Sequence, residues 1–150
     1  MSFTIKTKGI QKTIDCLKKF TSDKPSTVVH TLGQLGQQIA QDYVPVETGD
    51  LRANIKYNYL DDTRCEVVAD TPYAKFVEYG TGVRGKNSPH PETQWEYDIN
   101  QHGDKGWWYY DTNQGRFRWT KGQTSKHFMY DTRKKLESMF SKIANEVYKK

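Results

Sequence analysis

Apolar residues recur at helical spacing in three stretches of the chain. Ile10, Ile14, Leu17 and Phe20 predict a short amphipathic helix over 10–20, broken by Thr21-Ser22-Asp23-Lys24-Pro25. Val28, Leu32, Leu35, Ile39 and Tyr43 follow at steps of four, three, four and four, which predicts a long helix over 26–43. Gly33 and Gly36 lie inside it, and each costs about 1 kcal/mol relative to Ala in a helix interior. A neighbour packed closely on that side is the expected reason for them. Pro45 ends the helix. The third stretch is C-terminal, where Leu136, Met139, Phe140, Ile143 and Val147 share one face of a helix over 128–148.

Between these helices the period changes to two. Ile55, Tyr57 and Tyr59 alternate with Asn54, Lys56 and Asn58, and Cys65, Val67 and Ala69 alternate with Arg64, Glu66 and Val68. With a turn at Asp61-Asp62 this is a β-hairpin. Asp70-Thr71-Pro72 reads as a helix start, with Pro at the first helical position and Gly80 as the stop. That short helix puts Tyr73, Phe76 and Val77 on one side. From Thr81 to Ser125 the chain is poor in aliphatic residues and rich in Gly, Asn, Asp, His and Trp. Trp107-Trp108-Tyr109-Tyr110 and Arg116-Phe117-Arg118-Trp119 flank Asp111-Thr112-Asn113-Gln114-Gly115, a second hairpin. The expected fold class is α+β, in one domain over 1–150. A small antiparallel sheet packs against the long helix and the C-terminal helix, and an aromatic-rich hairpin is carried on an insertion, 81–125.

Composition sharpens this. The hydrophobic fraction is low, 35%, while aromatics reach 13%, so much of the apolar area rides on Tyr, Trp and Phe. Such residues serve interfaces and aromatic cores equally well. The net charge of +5 is uneven. Residues 1–24 carry six Lys and two Asp, net +4; residues 126–150 carry seven Lys/Arg and three Asp/Glu, net +4; the rest is net −3. The basic ends suit non-specific proximity to DNA, complementary patches between subunits, or plain solvated faces. Cys16 and Cys65 stand apart, which suits a reducing cytoplasm and not a disulfide scaffold. No stretch approaches the ~20 apolar residues of a membrane span, and a soluble protein with no membrane partner is expected.

Chemical motifs are sparse. Gly80-Thr81-Gly82-Val83-Arg84-Gly85 spells GxGxxG, but a dinucleotide fingerprint needs a strand before it and a helix after it. Here a helical turn is expected before it and a Pro-containing loop after it. His90 and His102 share the insertion with Glu92, Glu96, Asp98 and Asp104, without the close ligand spacing of a zinc site. A hydrogen-bonded polar loop is the simpler reading, and no metal or cofactor is expected. No nucleophile–base arrangement stands out, so no enzymatic activity is expected. The basic-aromatic run 107–119 offers an alternative, a nucleic-acid-binding module that stacks bases on its rings. In that run the two Arg fall on one strand face and Phe117 and Trp119 on the other.

Three segments carry a family resemblance. Thr48-Gly49-Asp50-Leu51-Arg52-Ala53-Asn54-Ile55 follows a Pro and precedes a hairpin. Pro72-Tyr73-Ala74-Lys75-Phe76-Val77-Glu78-Tyr79-Gly80-Thr81 comes next, and Phe128-Met129 opens the last helix. In order and spacing these resemble the gene-product-ten-like tail-component family of tailed bacteriophages and prophages, over most of 26–148. Asn54 stands where Ser is usual, and His127 where Pro often precedes Phe-Met. The resemblance implies a virion protein of the neck or head-proximal tail end, made in the host cytoplasm, acting in tail completion and head–tail joining. Its implied partners are other copies of itself in a ring and a tail terminator, tail tube or head connector. Thr48, Gly49, Leu51, Arg52, Glu78, Gly80 and Phe128 are the structural motif residues, with Arg52 expected to pair with Glu78. Tyr73, Phe76, Tyr79, Trp107, Trp108 and Trp119 are the expected interface.

Overall fold

A computed structural model of the chain describes residues 24–47, 49–92, 95–97, 103–112 and 114–149. The helix expected over 10–20 lies outside them. The chain divides into two compact units, one of residues 1–72 with 128–150, the other of residues 73–127. The second takes in the expected insertion together with the short helix before it.

In the first unit, α1 (Lys24–Tyr43) begins with Pro25 in its first turn, where a missing N–H costs nothing, and stops before Pro45. It packs against both the hairpin and the C-terminal helix. Its buried side is Val28, Val29, Leu32, Gly33, Gly36 and Ala40. Tyr43, expected on the apolar stripe, is exposed, because the helix turns its small residues inward and lets its neighbours approach. A Cβ on Gly33 would sit 2.1 Å from the Tyr57 ring, and one on Gly36 would touch Leu136 and Val67 at 3.0 Å. These are the close partners that the two glycines predict.

A single turn, α2 (Asp50–Ala53), leads into β1 (Ile55–Asp61), which pairs antiparallel with β2 (Arg64–Ala69). The register sets Ile55 opposite Ala69, Tyr57 opposite Val67 and Tyr59 opposite Cys65, so the predicted sets share a face, but in β2 burial does not alternate, since Val67, Val68 and Ala69 are all buried. Burial fades outward along it, from Ile55 to the exposed Tyr59. The last helix of the chain is α5 (Phe128–Tyr148), numbered after two short helices of the second unit. Leu136, Met139, Phe140, Ile143 and Val147 of α5 pack with Val28, Leu32 and Leu35 of α1 in one apolar cluster. The face predicted from the period is therefore the face used.

The second unit opens with α3 (Ala74–Tyr79), which starts later than the Pro72 position predicts, and no side chain caps it. Next comes α4 (Gly82–Asn87), a helical turn where a loop was expected. A 3-10 turn (Gly103–Lys105) then leads to β3 (Trp107–Asp111) and β4 (Arg116–Thr120), the predicted second hairpin.

Candidate interaction surface

The motif turn is held from α1. Gly49 has φ +82, the left-handed region that favours glycine, and nothing else crowds its α-carbon. Leu51 and Ile55 are buried beneath the turn, and Gln37 and Gln41, one helical turn apart on α1, both donate to the Ile55 carbonyl, at 3.1 and 3.4 Å. Sequence reasoning passed over these two glutamines, though their spacing puts them on one helix face. Thr48 lies outside the described residues. Arg52 meets Asp42 at 3.6 Å with both side chains exposed, and Glu78 meets His90; the expected Arg52–Glu78 pair would join one compact unit to the other. Each charge has found a partner within its own compact unit.

Glu78 sits on α3 with 1% of its surface exposed. His90 Nε2 lies 3.0 Å from its Oε1, and the Glu92 backbone N–H donates to His90 Nδ1 at 3.2 Å. With Nδ1 accepting the backbone N–H, Nε2 is the ring nitrogen placed to donate to the carboxylate. The Tyr79 ring meets His90 edge-on at 4.7 Å and stacks on Trp95 at 4.9 Å. Trp95 donates to the Gly80 carbonyl at 3.0 Å, and the His90 N–H donates to the Tyr97 hydroxyl at 3.1 Å. Burial, and then the nearby Glu78 and Glu92, push the Tyr79 phenol up. This is a polar, aromatic packing centre for a segment that lacks aliphatics.

Phe76 joins it edge-on to Trp95 at 6.2 Å. Of the three expected interface residues on this segment, Phe76 and Tyr79 are thus half-buried within the unit, and Tyr73 is exposed. Gly80 has φ +81, and a Cβ there would meet the Ser125 N at 2.7 Å. His127, with φ +37, donates its N–H to the Glu78 carbonyl at 3.1 Å. A Pro at 127 could neither reach that φ nor donate, so the family departure at this position is built into the backbone. Phe128 is fully buried. The GxGxxG segment has α3 before it and not a strand, so it lacks the geometry of a dinucleotide site. Among the described residues no three His, Cys, Asp or Glu gather to hold a metal.

The β3–β4 ribbon has two different faces. Trp108 pairs with Trp119 and Tyr110 with Phe117, and cross-strand partners share a face. Both pairs meet edge-to-face, at 5.5 Å and 5.3 Å. These four rings remain open, with Trp108 64%, Tyr110 54%, Phe117 67% and Trp119 48% exposed. The other face carries Trp107, Tyr109, Asp111, Arg116, Arg118 and Thr120. There Arg118 pairs with Asp111 at 3.2 Å, and Asp111 also accepts the Gln114 N–H at 3.1 Å to close the turn. Tyr109, Arg116 and Arg118 are exposed too, so the ribbon is open on both faces beyond its base. The base is anchored by glycines. A Cβ on Gly106 would meet the Thr120 carbonyl at 2.3 Å, and one on Gly82 the Trp107 ring at 2.9 Å. Trp107 is half-buried on the polar face, so it does not share a surface with Trp108 and Trp119. Tyr110 and Phe117 do share it. Counting in twos from Trp108 and Trp119 was enough to find them.

The family described as "Bacteriophage HK97-gp10, putative tail-component" matches residues 8–80. No curated protein and no solved structure matches the chain. The match runs through α1, the motif turn, the first hairpin and α3, and bears out the resemblance drawn from the motifs. It supports a structural role in a phage tail, with a place in the virion among other tail proteins. No helix among the described residues is long and apolar enough to cross a membrane.

Proposed function

We propose, for a chain whose residues 8–80 match a phage tail-component family, a non-enzymatic assembly role at the neck or head-proximal tail end. It acts there in tail completion and head–tail joining, and the β3–β4 ribbon is the surface that meets a neighbouring subunit. One observation carries this reading: a two-stranded ribbon keeps four large aromatic rings in water. An isolated hairpin is marginal in water, and a continuous apolar patch on it is the usual mark of a binding surface. Each ring that a neighbour covers removes apolar area worth about 25 cal/mol per Å².

The ribbon's charges bear on the nucleic-acid alternative. Base stacking needs cations beside the rings to hold phosphates. Arg116 and Arg118 lie on the opposite face, Arg118 paired with Asp111 and Arg116 donating to Gln114 at 3.0 Å. The geometry therefore favours an apolar protein partner. The reading is tested by deleting the gene from its phage. Separate heads and tails, or tails of faulty length, are expected from the deletion, with joining restored by the intact chain. Normal infectious particles would overturn it.

A further inference from the structure

Opposite its apolar face, α5 carries a second pattern. Lys135, Lys142 and Lys149 recur every seven residues, and seven residues bring a helix back to nearly the same side. Ser138 and Asn145 fall between them, each three residues after a lysine and so on the same face. All five are exposed. Lys149 follows the last residue of α5, and its N–H donates to the Asn145 carbonyl at 3.0 Å, so the helical path continues to it. The other cations of the helix have partners, for Arg133 and Lys134 both reach Glu137, at 3.4 and 3.5 Å. Among the described residues Lys135, Lys142 and Lys149 make no ion pair, and Glu146 stays apart from Lys142 although it stands four residues on. Asp131, one turn before Lys135, lies in the first turn of α5, where a carboxylate favours the helix. At the other end, the Lys24 ammonium donates to the Tyr148 carbonyl at 3.4 Å. The two basic stretches of the chain, 1–24 and 126–150, are thus joined at Lys24 and Tyr148.

We propose that this face of α5 binds the phosphate backbone of duplex DNA without reading its sequence. Lysine, serine and asparagine are all residue types that contact phosphate oxygens. No apolar or aromatic side chain lies on the stripe to anchor a protein partner, and the centres of protein interfaces are poor in lysine. No ring lies there to stack a base, so the backbone is what the stripe can hold. From Lys135 to Lys149 it runs about 21 Å along the helix. Over that length a duplex presents about twelve phosphate charges. At such a density each long lysine side chain meets a phosphate without a fixed register. The stripe belongs to the first compact unit and is separate from the β3–β4 ribbon, so the inference stands or falls apart from the role proposed for the ribbon.

The test measures binding of the full chain to a fluorescein-labelled duplex of random sequence, by anisotropy over a series of salt concentrations. The logarithm of the binding constant is expected to fall linearly with the logarithm of the salt concentration. The variant Lys135→Gln/Lys142→Gln/Lys149→Gln should bind more weakly, with a slope shallower by about 0.9 for each lysine lost. Lysine and glutamine have similar helix propensities, so circular dichroism should show unchanged helix content. A control, Lys86→Gln/Lys105→Gln/Lys121→Gln, removes the same charge from exposed lysines of the second unit and should keep the intact slope. Equal losses in the two variants would mean that net charge alone attracts the duplex, and would overturn the proposal. So would an intact slope in the α5 variant, or no binding by the intact chain at low salt. Polyglutamate that displaces the duplex at equal charge concentration would assign the stripe to an acidic protein and overturn it as well.

Discussion

Glu78 is taken almost wholly out of water by α3, and a buried carboxylate is tolerable only with donors aimed at it. His90 supplies one through Nε2, and the Glu92 N–H fixes the tautomer that allows it. Replacing His90 by Leu removes a hydrogen bond to a charged group and is expected to cost roughly 1.5–3 kcal/mol. Adding Glu78→Gln removes the charge as well, so the double variant should lose less than the sum of the single losses. Urea unfolding followed by tryptophan fluorescence reads both, with Trp95 stacked beside the pair. Additive losses would contradict the coupling. Sequence alone made Glu78 a motif residue but did not reveal His90 as its partner. Arg52 is close in the family pattern, whereas His90 is reached only once α4 and the following loop have turned the chain back. A single charged residue carries no signal of which distant ring will approach it.

At the scale of elements, the first hairpin was legible because its period of two is uninterrupted, and α1 and α5 because theirs is helical over many turns. The α4 turn was missed because Gly82-Val83-Arg84-Gly85-Lys86-Asn87 has two glycines and no apolar period; packing holds it, with Gly85 under the Tyr97 ring. Gly33 tests the α1–β1 packing. Gly33→Ala gains about 1 kcal/mol of helix propensity, yet overpacking costs typically 1–3 kcal/mol. Tyr57 is also tethered, its hydroxyl 2.5 Å from His30 Nδ1. The variant is expected to melt several degrees lower by circular dichroism. In a Tyr57→Ala background the same change should become neutral or stabilising, and a gain in melting temperature in the intact chain would contradict the packing.

The hairpin turn gives a pH prediction. The Thr63 hydroxyl and the Arg64 guanidinium, and then the Thr63 N–H, hold the Asp61 carboxyl well below the usual carboxylate range. A carboxyl depressed in the folded state lends its stabilisation above its unfolded pKa, near 4, and loses it only as pH falls through the lower folded value. Its NMR carboxyl shift should therefore remain that of the ion at pH 3. Thr63→Val should move the titration up toward the ordinary range. An Asp61 that titrates near 4 in the intact chain would contradict this account.

For the whole molecule, the resemblance to a tail-component family was legible in the sequence, and the match over 8–80 takes in the first motif and all but the last residue of the second. The α+β class was legible as well. The division into two compact units was not, because residues 73–127 build their centre from Glu78, His90, Tyr79, Trp95 and Tyr97 and not from aliphatic residues that a periodicity could reveal. The ribbon was seen as a hairpin, but the chain's six expected interface residues, three of them on the ribbon, separate in the structure. Trp108 and Trp119 face outward together, Trp107 anchors the base on the other face, and Phe76 and Tyr79 pack inside their own unit. The central claim is that the open aromatic face serves assembly and not the core. The most direct measurement is the incorporation into phage particles of the Trp108→Ala/Phe117→Ala chain, with its helix content followed by circular dichroism. The account predicts wild-type helix content and melting of α1 and α5, with the variant excluded from particles, because a few aromatic residues dominate most interfaces. Full incorporation, or helices that unfold at room temperature, would contradict it.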